Sequence, residues 1–151
     1  MIHNTKKDFL KNIPENSKLA ALDVGTKTIG IAVCDETKTI TTPKYTIQRK
    51  GNKKDIPILL EKLKEYNVSG IVVGLPLSAE NQDTEMSLFI KRFAENLEKQ
   101  TQLLITFQNE RLTSHEAKSF MIDQMKVKYS KTQKVIDQIA AACILESFLI
   151  Y

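Results

Sequence analysis

The sequence predicts a three-layer α/β fold built on a mixed, five-stranded sheet, and three observations carry that expectation. The 151 residues, 42% hydrophobic and 26% charged, suit one compact domain with its own core rather than two lobes. Three β-branched runs separated by short turns open the chain and read as an antiparallel meander. After them helical and strand patterns alternate, which favours strands parallel to the first, joined by crossover helices.

The elements follow in order. In residues 1–17, a leader, Phe9, Leu10 and Ile13 recur at helical spacing before Pro14, so a short docking helix and a frayed terminus are both open. The domain proper spans 18–151. Leu19 to Val24 is an apolar run punctuated by Gly25, and Thr28 to Val33 is β-branched around a glycine, which suits two strands of a hairpin. Residues 39–47, TITTPKYTI, alternate β-branched and polar positions. Pro43 confines this third strand to a sheet edge or a bulge.

A basic loop, Arg49 to Lys54, leads into 55–66, where Ile56, Leu59, Leu60 and Leu63 share one helical face. Gly70 to Gly74 encloses Ile71, Val72 and Val73, a strand buried on both faces, and Leu75-Pro76 stops it. Met86, Phe89, Ile90, Phe93 and Leu97 mark a second helix, and Leu103 to Phe107 a fifth strand. A helix follows from His115 to Met125, then a lysine-rich stretch, then a last helix from Thr132 to Ile150. Its buried stripe is Val135, Ile136, Ile139, Ala140, Cys143 and Ile144.

Composition narrows the function. The formal net charge of +4 and pI of about 9.0 are compatible with an anionic partner without proving one. Cys34 and Cys143 each sit in an apolar run, as reduced, buried thiols do, which argues against a disulfide frame or a zinc site. No segment has the apolar length of a signal peptide or a membrane span, so a soluble, cytoplasmic protein without membrane association is expected.

Three acids ask for an explanation. Asp23 stands near the end of the first strand, where an aspartate costs desolvation unless it is paired or holds a cation. It reads either as a cap for the Gly25-Thr26 amides or as a metal ligand. Glu110, just past the fifth strand, is either an N-terminal acid for the next helix, with Thr113 or Ser114 as its cap and Arg111 neutralising it, or a second ligand. Asp137 flanks the buried stripe of the last helix. Metal-assisted phosphodiester cleavage needs carboxylates that converge from separate elements, because Mg²⁺ prefers octahedral oxygen ligation and keeps several waters. These three could converge, although their separations match no local motif.

Four blocks add a resemblance: LDVGTKTIGIAVCD (Leu22 to Asp35), VVGLPLS (Val72 to Ser78), NERLTSHEA (Asn109 to Ala117) and KVIDQIAAACILESFL (Lys134 to Leu149). In this order and at these separations they closely resemble the YqgF family, also called RuvX or Holliday junction resolvase-like, over residues 19 to 149. The resemblance implies a ribonuclease H-like fold and a metal-dependent nuclease that processes pre-16S ribosomal RNA in ribosome biogenesis. It implies Asp23, Glu110 and Asp137 as the catalytic acids, binding Mg²⁺ or Mn²⁺.

Supporting roles follow from the same blocks. Gly25 and Gly30 would let backbone approach closely, Thr26 and Lys27 could meet a phosphate, and Arg111 could orient Glu110 or substrate. Gly74-Leu75-Pro76 shapes the turn after the central strand or simply ends it. Lys134, one turn before Asp137, could sit near the scissile phosphate. Lys126, Lys128 and Lys131 form either an electrostatic rail or solvated surface, and His115 reads as a helix-surface residue. The chain departs from the family in having Asn109 before Glu110 where an aspartate is usual, Thr28 where a basic residue is frequent, and no glycine near Asn81.

The expected partner is nucleic acid: structured RNA, with branched DNA as the alternative substrate. The expected state is a monomer or a homodimer, the latter suiting a resolvase that cuts two strands symmetrically. A non-catalytic RNA-binding assembly factor is a competing reading. An actin-like phosphotransferase, suggested by Asp23 to Thr26, would need a second lobe that 151 residues do not supply.

Overall fold

A computed structural model describes residues 1–110, Asp123 and 133–150. In chain order the elements are β1 (Ile2–His3), α1 (Lys6–Lys11), β2 (Lys18–Val24), β3 (Thr28–Cys34), β4 (Thr41–Gln48), α2 (Asn52–Glu65), β5 (Val68–Leu75), α3 (Glu85–Glu98), β6 (Leu104–Asn109) and α4 (Gln133–Ile150). The helix expected over 115–125 and the lysine-rich stretch after it lie outside the described residues.

The sheet runs β1-β6-β5-β2-β3-β4. As expected, β2, β3 and β4 form an antiparallel meander, and β5 and β6 add in parallel beside β2. Among the described residues the sheet has six strands rather than five. The extra strand comes from the leader, where Ile2 and His3 pair in parallel with Ile105 and Thr106 of β6. A two-residue strand is too short to show a period-two pattern, so only the tertiary partner reveals it.

Alternation along the strands sorts the core into two faces. Ala20, Leu22 and Val24 of β2, Ile29, Ile31 and Val33 of β3, and Ile71, Val73 and Leu75 of β5 pack with Ile56, Leu59 and Leu63 of α2 and Ile90, Phe93 and Leu97 of α3. On the opposite face Leu19, Ala21, Cys34 and Val72 pack with Ile144, Leu145 and Phe148 of α4 and with Phe9 and Ile13. That makes three layers, with helices on both sides of the sheet. The leader belongs to this core: the Phe9 and Phe148 rings meet edge to face, 5.8 Å between centroids.

The buried surface of α4 is wider than the stripe read from the sequence. Ala141, Ala142, Leu145 and Phe148 are buried as well, whereas Val135, Ile136 and Ala140 are only half-buried. Cys34 and Cys143 are both buried. Pro43 lies in β4, an edge strand, and the β3–β4 register shifts between Ile31 and Ala32, so the edge and the bulge both occur. No described helix is long and apolar enough to cross a membrane.

The β3–β4 turn is organised by Asp35. Its carboxylate accepts from Thr37 Oγ1 at 2.6 Å and from the Ile40 and Thr39 amides at 3.0 and 2.8 Å. These bonds favour the charged form and lower its pKa from 3.8 to about 2. A depressed carboxylate pKa supports the fold above the unfolded value and loses that support as pH falls through the folded one. The Thr39 and Ile40 amide signals are therefore expected to stay fixed down to about pH 4 and to shift towards pH 2 in an NMR titration, and Asp35→Asn should abolish that transition.

Candidate active site

Asp23 sits on β2, between β5 and β3 in the middle of the sheet. Leu19 and Ala21 face α4, and the intervening residues face α2 and α3, so the same alternation turns Asp23 towards α4. It is half-buried and pairs across the strands with Gly30 of β3. Paired residues of antiparallel strands point to the same face, their Cβ atoms about 4.5–5.5 Å apart. At Gly30 that space is taken by the main chain of α4: a Cβ there would stand 2.1 Å from the Asp137 carbonyl oxygen. The start of α4 therefore lands one side-chain length from Asp23.

On the other flank the arrangement repeats. The β2–β5 register runs to Leu22 opposite Val73, so Gly74 is the next residue beside Asp23, and it too faces α4. A Cβ on Gly74 would stand 2.6 Å from Glu110 Oε1 and 2.4 Å from Ile144 Cδ1. Glu110 follows the last residue of β6, so its carboxyl folds back over β5 towards Asp23. Two glycines on the strands flanking Asp23 thus make room for the Asp137 main chain and the Glu110 carboxyl. Gly74, expected as part of a strand-ending turn, lies inside β5 and has this spatial role.

All three acids are half-buried, and none is without a polar or charged partner. Among the described residues no three acidic, histidine or cysteine side chains form a ready-made metal cage. An open set of carboxylates is what Mg²⁺ chemistry requires, since that ion is held through one or two carboxylates together with waters and substrate phosphate oxygens. The donor chemistry of these carboxylates fits such a cation.

The remaining expected site residues divide into two groups. Gly25, Thr26 and Lys27 form the turn after β2; the Gly25 amide donates to the Thr28 carbonyl at 2.9 Å, and Thr26 and Lys27 are exposed at its tip. From Thr26 an open groove of about 820 Å³ passes Met86, Phe89 and Arg92 of α3. Lys134 lies in the first turn of α4. Arg111, His115, Lys126, Lys128 and Lys131 lie outside the described residues. Two departures from the family pattern touch: Asn109 Nδ2 donates to Asn81 Oδ1 at 2.9 Å. Asn81 has φ +60°, a conformation that glycine adopts freely and asparagine tolerates best among the rest.

Arg49, read from the sequence only as the start of a basic loop, is enclosed. Its guanidinium pairs with Asp55 at 3.1 Å and donates to the Gly25 carbonyl at 3.1 Å. No local pattern flags such a residue, because a basic run ordinarily reads as solvated surface.

The fold is that of the RuvC-type resolvases. Thermus thermophilus RuvC, solved in complex with a Holliday junction substrate, superposes with a TM-score of 0.58 at 12% identity, over 87% of this chain and 93% of that one. The fowlpox virus Holliday junction resolvase gives 0.51 at 17% identity, over 85% and 94%. The family model for RuvX, described as Holliday junction resolvase, matches residues 17–151, and the chain belongs to that family. A Rickettsia bellii relative named "Putative pre-16S rRNA nuclease" is 36% identical over 149 residues, 99% of this chain and 96% of its own length. Relatives of the same name from Rhodobacter capsulatus and Caldanaerobacter subterraneus are 37% and 36% identical over 142 and 132 residues, covering 94% and 87% of this chain and 89% and 95% of their own lengths.

The two glycines should differ in tolerance. Gly30→Ala drives a methyl into helix backbone and is expected to cost about 1–3 kcal/mol or more in urea denaturation. Gly74→Ala meets side-chain ends that can give, so its cost should be smaller, with the loss appearing mainly in activity as Glu110 is displaced.

Proposed function

We propose that this chain is a cytoplasmic, metal-dependent nuclease that processes pre-16S ribosomal RNA, hydrolysing phosphodiesters with Asp23, Glu110 and Asp137 as its catalytic acids. Residues 18–151 are the nuclease domain, and the leader adds a strand and a helix to it. Membership of the RuvX family and the names of its relatives support the reaction class. The observation that supports this reading is the pair of glycines on the strands flanking Asp23: the Asp137 main chain lies against Gly30 and the Glu110 carboxyl against Gly74.

A Mg²⁺ or Mn²⁺ ion bound there supplies an activated water and charge stabilisation for the leaving oxygen. The chain's own residues do the rest. Asp23, paired with Gly30 on a central strand, is the rigid member of the set. Glu110 and Asp137 stand at a strand end and a helix start, so the three acids come from separate elements. Thr26 and Lys27, exposed at the adjoining turn, present a hydroxyl and a cation to the phosphates flanking the scissile bond, with Gly25 letting the strand pass close. Arg111 and Lys134 are the further substrate-binding cations that the family resemblance implies. Water adds to phosphorus, the P–O bond to one nucleoside breaks, and that oxygen leaves with a proton, so no covalent enzyme intermediate is required.

The test is cleavage of end-labelled precursor ribosomal RNA and of a four-way DNA junction, with Mg²⁺, Mn²⁺ or EDTA. Metal-dependent cutting of the RNA is expected, with Asp23→Asn and Asp137→Asn each slower by at least about 100-fold, the scale of losing one group that stabilises the transition state. Preferential, symmetric cutting of the junction would instead indicate the resolvase activity of a dimer. RNA bound but intact in wild type would indicate an assembly factor.

Lys27→Ala should weaken RNA binding evenly across sequences and reduce the slope of log affinity against log salt by about one counterion, read by fluorescence anisotropy over a salt series.

A further inference from the structure

Arg49 is the last link in the support of the turn beside Asp23. Its side chain is 6% exposed and that of Asp55 1%. The guanidinium makes three directed bonds: Nε donates to Asp55 Oδ2 at 3.1 Å, Nη1 to the Gly25 carbonyl at 3.1 Å, and Nη2 to Asn52 Oδ1. It also lies over the Phe89 and Phe93 rings of α3, at 5.5 and 5.2 Å from their centroids. Asp55 is fixed in turn by the amides of Lys50 and Gly51, at 3.0 and 3.1 Å. The same residue grips the turn a second time, since the Arg49 amide donates to the Lys27 carbonyl at 2.9 Å. Carbonyls at both ends of the Gly25–Lys27 turn are therefore held by Arg49.

Stability does not account for this arrangement. A buried ion pair repays its desolvation poorly, and apolar residues of similar volume often serve the fold as well or better. A planar fork of donors does what they cannot: it sets a carboxylate, an amide oxygen and a main-chain carbonyl in one plane. We propose that Arg49 is a positioning residue for the hydrolysis: braced by Asp55 and the α3 aromatic rings, it locks the Gly25–Lys27 turn and so fixes Asp23 and the phosphate-facing Thr26 and Lys27. This rests on Asp23 as a catalytic acid. Small misplacement of a catalytic group costs up to about 100-fold in rate, which is the loss the clamp prevents.

The test separates positioning from stability. The double variant Arg49→Met/Asp55→Leu replaces the pair with apolar residues and is expected to fold with a melting temperature close to wild type. Its kcat on precursor RNA should fall about 10- to 100-fold, while amide exchange at Gly25 accelerates at least 10-fold and that at Val72 and Val73 in β5 is unchanged. Arg49→Lys, which keeps the charge but not the fork, should behave in the same way. If the double variant does not fold, Asn52→Ala, which removes one bond of the guanidinium, should show the same local exchange in smaller measure. A folded variant with wild-type kcat and wild-type exchange at Gly25 overturns the proposal, as does exchange that rises uniformly over the sheet. Asp23→Asn is run alongside: if it cuts as fast as wild type, the assignment of Asp23 fails, and the clamp is then decided by exchange at Gly25 alone.

Discussion

The structure depends on how closely the main chain of α4 is allowed to approach the sheet. At Gly30 there is no room for even a methyl group between β3 and the Asp137 carbonyl, and further along the same contact only Ala32, Ala141 and Ala142 intervene. Small residues on both sides bring backbone against backbone, and the larger side chains of Ile144, Leu145 and Phe148 then fill the space towards the other end. The helix is consequently held in one place along β3, and an acid in its first turns inherits that precision. Had the contact been made by leucines, Asp137 would ride on side chains with several rotamers each, and its distance from Asp23 would not be set by backbone geometry.

The same logic explains why much of the architecture could be read from the residues and part of it could not. Ile71 to Val73 between glycines, and Ile56, Leu59 and Leu63 at helical spacing, are local patterns whose meaning does not depend on a partner. Asp23 was legible for the same reason, as a charge inside an apolar run. β1 was not, since two residues carry no period. Arg49 was hidden because its partners lie elsewhere in the chain: Asp55 across a glycine turn with φ +118° at Gly51, and Gly25 two strands away. Gly74 resembles any strand-ending glycine until the Glu110 carboxyl is seen above it.

The asparagines at 81 and 109 show how a departure from a family pattern can be absorbed locally. A side-chain amide both donates and accepts, so two of them can bond each other where two carboxylates would repel. Here the amide of Asn109 joins the end of β6 to the loop following β5, and the left-handed backbone at Asn81 supplies the turn. Glu110, the adjacent acid, keeps its position over Gly74 with Asn109 as its neighbour.

The outer strands carry a consequence for association. On one side the sheet ends in β1, only two residues long; on the other it ends in β4, interrupted by Pro43, broken in register and bearing Lys44. Among the described residues neither border offers the long, flat row of free amides and carbonyls that templates strand addition. The described sheet is thereby guarded at both borders against runaway cross-β stacking.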